Sequence, residues 1–297
     1  MKAKRILITG ANGFIGFHLA KQLSGNNEVV AFDKAPAVFR EGLHIYCGNV
    51  ARAKDLDSVK GDFDLVYHFG SPSSVLQFAD NLETATQESV TGFLNIMNFA
   101  IQRNAKKIIY PSSGAVYRVD GRKREINPVN IYGAIKLVHE RIAQTYENRI
   151  ATCGVRIFMG YGPGEEAKGK IASPVFHFLD SLIHGKELVV WGDGTQKRDL
   201  IYIDDIGEVL VKCGDSKISG IVSDLGTGQA PTFNDLIGIV STVVGKTPKL
   251  RYIPSPKNYL SETLANPTFT EQMLSRHPID ATEGIRRFSH YLMNVHR

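Results

Sequence analysis

Tyr132 and Lys136 stand four residues apart in the stretch NIYGAIKL (130–137), which is otherwise neutral and largely apolar. On a helix that spacing puts both side chains on one face. A free tyrosine titrates near pH 10, and a cation alongside lowers that by about 1–3 pH units. Such a pair can take a proton from a substrate hydroxyl. Spacing alone does not separate this from coincidence. With 11 tyrosines in the chain, one Tyr-x-x-x-Lys pair arises by chance about once.

A second set of residues sits at the start of the chain. ILITGANGFIGFHLA carries glycines at 10, 13 and 16 between an apolar run and an amphipathic one. A glycine-rich turn from strand to helix lets backbone approach a pyrophosphate, whose charge then faces the helix N-terminus. Gly10, Gly13, Phe14, Ile15 and Gly16 are therefore predicted to bind a nucleotide. The spacing is G-x-x-G-x-x-G rather than the commoner G-x-G-x-x-G. Asp33 closes the next apolar run, about 20 residues on, where a carboxylate binds a ribose 2′-hydroxyl and repels a 2′-phosphate. This favours NAD over NADP, with Lys34 beside it pulling the other way.

The elements that must position these residues follow from hydrophobic periodicity. Strands are predicted at 5–9, 28–33, 43–47, 63–70, 106–113 and 151–158. They alternate with helices at 14–24, about 83–103 and around Tyr132, which calls for β-α-β units and a parallel sheet covered on both faces. After Phe158 the pattern changes. A stretch rich in Gly, Pro and charge (160–174), a loop or a domain crossing, leads to helices near 175–184, 233–244 and 282–293 and short strands at ELVVWG and DLIYI. The expected division is a nucleotide domain at 1–158, with about 199–226 folding back onto it, and a smaller mixed α/β lobe at 159–297. The charge run RVDGRKRE (118–125) reads as a solvated loop.

Composition limits the function classes. The chain has 297 residues, 43% hydrophobic and 22% charged, with a net charge of +5. It is long enough to bury a real core, and its charge suits an anionic partner. Cys47, Cys153 and Cys213 lie far apart, which argues against a disulfide framework or structural zinc and suits a reducing cytoplasm. The nine histidines show no H-x-x-x-H spacing, so no metal site is expected. The basic, then apolar N-terminus is interrupted by Thr9, Gly10, Asn12, Gly13 and His18 and reads as strand, turn and helix rather than as a leader. No stretch reaches membrane-spanning length.

Several stretches together carry a family resemblance: TGANGFIG (9–16), VYHFGS (66–71), PSSGAVY (111–117), YGAIK (132–136), RIFMGYGPG (156–164), WGDGTQKRDLIYIDD (191–205) and DLGTGQAPTFNDLI (224–237). In this order they resemble the extended short-chain dehydrogenase/reductases of nucleotide-sugar metabolism, the NAD-dependent epimerase/dehydratase family. The resemblance implies a Rossmann-type doubly wound parallel sheet, NAD as cofactor and a nucleotide-diphosphate sugar as substrate. It implies Tyr132 as base, Lys136 as its cation and ribose ligand, and Ser113 as the hydroxyl that steadies the reacting sugar oxygen. Further cofactor contacts implied are Phe69, Gly70 and Ser71 under the phosphates, Asn49 and Val50 near adenine, and Phe158 near the nicotinamide. Arg198 is implied to grip the substrate diphosphate, and Trp191 to flank the base unless it is a core tryptophan. A homodimer through the helices near 83–103 and 131–148 is also implied.

Within that resemblance the residues after Ser113 bear on the reaction. Dehydratases of the family carry an Asp-Glu pair there, and this chain has Gly114-Ala115. A 4-epimerase, which only oxidises, turns and re-reduces its sugar, needs no such pair. A 4-ketoreductase, a 4,6-dehydratase and a catalytically idle nucleotide- or RNA-binding relative remain as alternatives. No basic stripe with interleaved aromatics supports nucleic-acid binding. The chain departs from the family pattern at Ser89 and Met159, each in place of an asparagine, and at Arg118 and Ile135. Lys257 stands where a phosphate-binding arginine is usual, so the sugar pocket is expected to be reworked.

Overall fold

A computed structural model describes residues 3–35, 45–120, 123–255 and 259–295. The first half runs β1 (Arg5–Thr9), α1 (Phe14–Ser24), β2 (Glu28–Asp33), β3 (Ile45–Cys47), α2 (Ala53–Leu56) and β4 (Leu65–His68). Then come α3 (Val75–Asp80), α4 (Leu82–Gln102) and β5 (Lys107–Ser113). A hairpin of β6 (Tyr117–Asp120) and β7 (Lys123–Ile126) precedes α5 (Ile131–Thr145) and β8 (Ala151–Ile157). The remainder runs β9 (Met159–Tyr161), α6 (Pro174–Ile183), β10 (Leu188–Trp191), β11 (Lys197–Arg198), β12 (Leu200–Tyr202) and α7 (Ile203–Asp215). It ends with β13 (Ile221–Leu225), α8 (Phe233–Val244), β14 (Leu250–Ile253), β15 (Glu262–Thr263), α9 (Thr268–Leu274) and α10 (Ala281–Val295).

Among the described residues, seven strands form one sheet in the order β13-β8-β5-β4-β1-β2-β3. The pairs β1–β2, β1–β4, β2–β3 and β4–β5 are all parallel. This is the doubly wound arrangement, with the order reversing between β1 and β4, and the carboxyl ends of those two strands are where such sheets bind ligands. Strand β1 ends at Thr9 and β4 at His68, so the Gly10 turn and the segment 69–71 both open at that point. Leu7, Val66 and Ile108 are fully buried, as expected of a parallel sheet covered on both faces.

The chain forms two compact units. The first comprises residues 1–113, 130–156 and 207–223, and the second 114–129, 157–206 and 224–297. In the first unit, Leu7, Val30, Phe32, Val66, Phe93, Ile96, Met97 and Tyr110 make the core between the sheet and its helices. In the second unit the buried Asp199 ties three segments together. Its carboxylate accepts from the amides of Thr227 and Gly228 at 2.8 Å and of Ala265 at 2.9 Å. Burial raises its pKa against those bonds.

Two expectations need correction. The charge run 118–125 is not a solvated loop. Its described residues belong to the antiparallel hairpin β6–β7, and Arg124 pairs with the buried Asp224, which also accepts from Tyr117 at 2.9 Å. The stretch 160–174 holds β9 and a 3₁₀ helix (Glu165–Ile171) rather than loop alone. Among the described residues no helix is long and apolar enough to cross a membrane, and no cluster of His, Cys, Asp or Glu could hold a metal ion.

Candidate active site

Ser113 ends β5, and Tyr132 and Lys136 lie on the first two turns of α5. The helix starts where it does because the Asn130 side chain accepts from the Gly133 amide at 2.9 Å, an N-cap that fixes the turn carrying Tyr132. The Ser113 hydroxyl hydrogen-bonds Tyr132, and the Lys136 Nζ lies 5.7 Å from the centre of the tyrosine ring. The ring packs on Phe78 of α3 at 6.0 Å. Ser113 and Lys136 are only 8% and 3% exposed. The three residues singled out from spacing and resemblance are thus brought together within the first unit.

The electrostatics differ from the sequence expectation. Burial raises the Tyr132 pKa above its usual 10, opposed by the Ser113 hydrogen bond, which favours the phenolate. The neighbouring Lys136 does not offset that rise. Burial instead brings the lysine itself down to about 8, because both side chains have lost the water that would solvate their charges. Two buried histidines share this region and are held neutral. His68 is brought down to about 3 by burial and then by Lys136, and His139 falls well below its usual value for the same two reasons.

The cofactor turn is built without side chains. Gly10 has φ +71°, and a Cβ there would lie 2.4 Å from the Phe69 carbonyl carbon. A Cβ on Gly16 would lie 2.1 Å from the Gly10 oxygen. Helix α1 begins at Phe14 with Gly13 as N-cap and no side-chain cap, and a helix N-terminus at such a turn favours an anion. Asp33 accepts from the Asn12 and Ala35 amides, both at 2.9 Å, which holds its carboxylate beside the turn. Phe14 is buried and Ile15 half-buried against this turn's helix, while Phe69, Gly70 and Ser71 are half-buried at the end of β4. The Gly70 amide donates to Thr9 at 3.3 Å.

Other predicted cofactor residues are already engaged. Lys34 pairs with Glu88 at 3.0 Å, and the Asn49 amide donates to the same carboxylate at 3.0 Å. The Asn49 oxygen accepts from Ala51 at 2.9 Å, and the Val50 side chain is buried in the core. Ser71 and Ser89 hydroxyls meet at 2.8 Å, and Ser89 lies 3.3 Å from His139 Nε2. The serine at 89 and the imidazole at 139 therefore occupy this site as a pair.

In the second unit, Phe158 is buried and stacks near Tyr117, their centres 6.5 Å apart. Gly114 lies beneath it, so close that a Cβ would meet the Phe158 ring at 2.8 Å. Arg198 is 4% exposed and donates to the Lys197 and Leu260 carbonyls at 2.7 Å. Its guanidinium lies 4.8 Å from the Tyr259 ring centre and 5.7 Å from that of Phe233. Burial holds its pKa below the usual guanidinium value, and no carboxylate pairs with it among the described residues. Half-buried Trp191 meets Tyr259 edge-on at 5.4 Å. Lys257 lies outside the described residues.

Sequence reasoning missed one group in the first unit: Ser112, Glu140 and Arg156, a buried ion pair and hydroxyl joining β5, α5 and β8. Glu140 stands four residues after Lys136, a spacing that marks the same helix face and was the available signal.

A model of the NAD dependent epimerase/dehydratase family matches residues 6–222. The chain belongs to this family. The family is NAD-dependent, and NAD is the cofactor that the bare glycine turn and the Asp33 carboxylate suit. An uncharacterized protein of Methanocaldococcus jannaschii is 26% identical over 99% of this chain and 97% of its own length. The structure of UDP-glucose 4-epimerase from Thermotoga maritima with UDP-glucose matches with TM-score 0.92 at 22% identity, covering 99% of this chain and 100% of that one. A double mutant of dTDP-glucose 4,6-dehydratase from Streptomyces venezuelae with NAD bound matches with TM-score 0.86 at 21% identity, covering 97% of each. One fold thus serves an epimerase and a dehydratase, so the choice of reaction falls to the residues around the tyrosine.

Proposed function

We propose that this family member is a nucleotide-sugar 4-epimerase working through a transient 4-keto sugar. The carrying observation is a tyrosine bonded by its serine, with its lysine beside the ring and Gly114-Ala115, neither of them an acid, following the serine in the chain. Tyr132 takes the proton of the sugar 4-hydroxyl as the C4 hydrogen leaves as hydride, and returns it after the ketone has turned. Ser113 steadies the reacting oxygen, and Lys136 supplies positive charge below the ring. Bound NAD supplies the hydride acceptor and donor, and in its oxidised form a positive charge that favours the phenolate. Elimination of water would need a further acid and base. Gly114 and Ala115 offer neither, and the packing of Phe158 over Gly114 leaves no room for an aspartate there. The first unit is proposed as the NAD-binding domain, with Gly10, Gly13, Phe14, Ile15, Gly16, Asp33, Lys34, Asn49, Val50, Phe69, Gly70 and Ser71 about the cofactor.

The second unit is proposed as the substrate lobe. Arg198 supports that reading, being a buried cation that no carboxylate pairs with among the described residues, so a diphosphate would complete it. Replacing it should separate binding from stability. Arg198→Met should weaken UDP binding by about 100-fold, the order of a charged hydrogen-bonded contact. The ligand-free protein should melt at the same temperature or higher, since an unpaired buried charge is removed. Calorimetric titration with UDP and a melting curve read both; an unchanged UDP affinity would remove Arg198 from the site. Trp191 flanks the same place. The exposed Leu82 of α4 and Ile131 and Val138 of α5 support a homodimer through these helices.

The deciding experiment incubates the protein with NAD and a panel of nucleotide hexoses, following product mass and proton NMR. A new sugar of unchanged mass is the expected result. Loss of one water would overturn the epimerase reading in favour of a dehydratase. Turnover only of a 4-keto sugar with NADH or NADPH would make the protein a ketoreductase.

A further inference from the structure

We propose that Glu140 is a positioning residue, a clamp between α5 and strands β5 and β8 that sets the contact between Ser113 and Tyr132. The inference rests on the role proposed above for Tyr132. Glu140 and Arg156 are 4% and 9% exposed, and the pair is a two-pronged one. Arg156 donates from Nε to one carboxylate oxygen at 2.8 Å and from its terminal nitrogen to the other at 2.7 Å. The Ser112 hydroxyl donates to the same carboxylate. Ser112 is the residue before Ser113, and Glu140 is one turn beyond Lys136 and two beyond Tyr132 on the same helix. Helix α5 is therefore tied to β5 twice, at consecutive strand residues: Tyr132 to Ser113 and Glu140 to Ser112.

Apolar packing alone does not fix this register tightly. Ile135 sits against Phe78 and Ala85, and Ala143 in the core, but such contacts are non-directional and tolerate small slides and rotations. A carboxylate held by a guanidinium fork is directional. Buried ion pairs are also poor sources of stability compared with apolar side chains of the same size. What this one adds is orientation, at the place where a shift of about 1 Å costs roughly 100-fold in rate.

Two variants test the clamp. Ser112→Ala keeps the ion pair and cuts the tie to β5, and Glu140→Gln weakens the fork while keeping its shape. Each is prepared NAD-saturated with ¹³Cζ-labelled tyrosine, the Tyr132 resonance being assigned by its loss in Tyr132→Phe. UDP-glucose is the probe substrate. Both variants should move the Tyr132 resonance. They should lower kcat by about tenfold and about 100-fold respectively, with KM for UDP-glucose within about twofold of the parent. The rising limb of kcat against pH should move upward, since the serine bond favours the phenolate. Ser112→Thr should restore both readouts. A Tyr132 resonance and pH profile identical to the parent's, with only a lower melting temperature, would overturn the proposal and leave the clamp purely structural. If Glu140→Gln does not fold, Ser112→Ala decides. If the parent does not turn over UDP-glucose, the resonance decides, so failure of the clamp and failure of the epimerase reading stay distinct.

Discussion

Tyr132→Phe should lower turnover of the nucleotide sugar by about 1,000-fold while leaving NAD bound, because it removes one oxygen and nothing of the ring. General acid–base groups contribute about 10²–10⁴-fold, and this one must serve twice in each cycle, once to take the proton and once to return it. A 1,000-fold loss is about 4 kcal/mol of transition-state stabilisation. The ring's contact with Phe78 and its place beside Lys136 survive the change. The hydroxyl lost is the one bonded by Ser113, and Ser113→Ala should therefore show a smaller loss in the same direction. Burial that raises the tyrosine pKa predicts that parent activity climbs with pH through the neutral range, and that Tyr132→Phe abolishes the climb. Single-turnover kinetics with calorimetric titration of NAD as the binding control distinguishes the cases. Residual turnover within about tenfold of the parent would mean another group takes the proton.

Much of this site is legible in the chain because its parts are local. The glycines at 10, 13 and 16 fix the turn by sterics alone, and the structure starts α1 at Phe14 where the sequence pattern does. Strands β1 and β2 match their predicted bounds because the buried centres of these parallel strands, residues 6–8 and 30–32, read as unbroken apolar runs. The pair Tyr132 and Lys136 follows from helical spacing. Charges whose partners are distant in sequence are a different matter. Arg124 looks like one member of a solvated run until Asp224, a hundred residues away, takes it into a half-buried pair. Glu140 meets Arg156 and Ser112 through three different elements; its spacing from Lys136 marks the helix face, but not the partners that other elements bring to it. The sign of the tyrosine shift failed for a related reason. Proximity of a cation can be read from a four-residue spacing, but desolvation depends on what covers both groups, and that is tertiary.

The same desolvation makes Lys136 a measurable cost. Its pKa is about 8 in the folded chain against 10.5 for an exposed lysine. Below pH 8 both folded and unfolded chains carry the proton, and the folded one must bury the charge, a penalty of about 3 kcal/mol. Between pH 8 and 10.5 the folded chain sheds the proton while the unfolded chain keeps it. The unfolded state then binds more protons, so this residue's contribution to stability improves as pH rises, and it is flat again above that window. Lys136→Met removes the titration with little change in volume. The ligand-free variant should be more stable than the parent by up to about 3 kcal/mol below pH 8, with the gap closing by pH 10.5. Urea midpoints of the two proteins at a series of pH values measure it, and titrations common to both cancel in the difference. Sugar turnover should fall steeply in the same variant, because the charge that strains the fold is the one that supports a phenolate next to it. A gap that stays constant across the window would show that the lysine is not desolvated. A gap that closes while turnover survives would show that its charge, although buried at a cost, is not what the tyrosine uses.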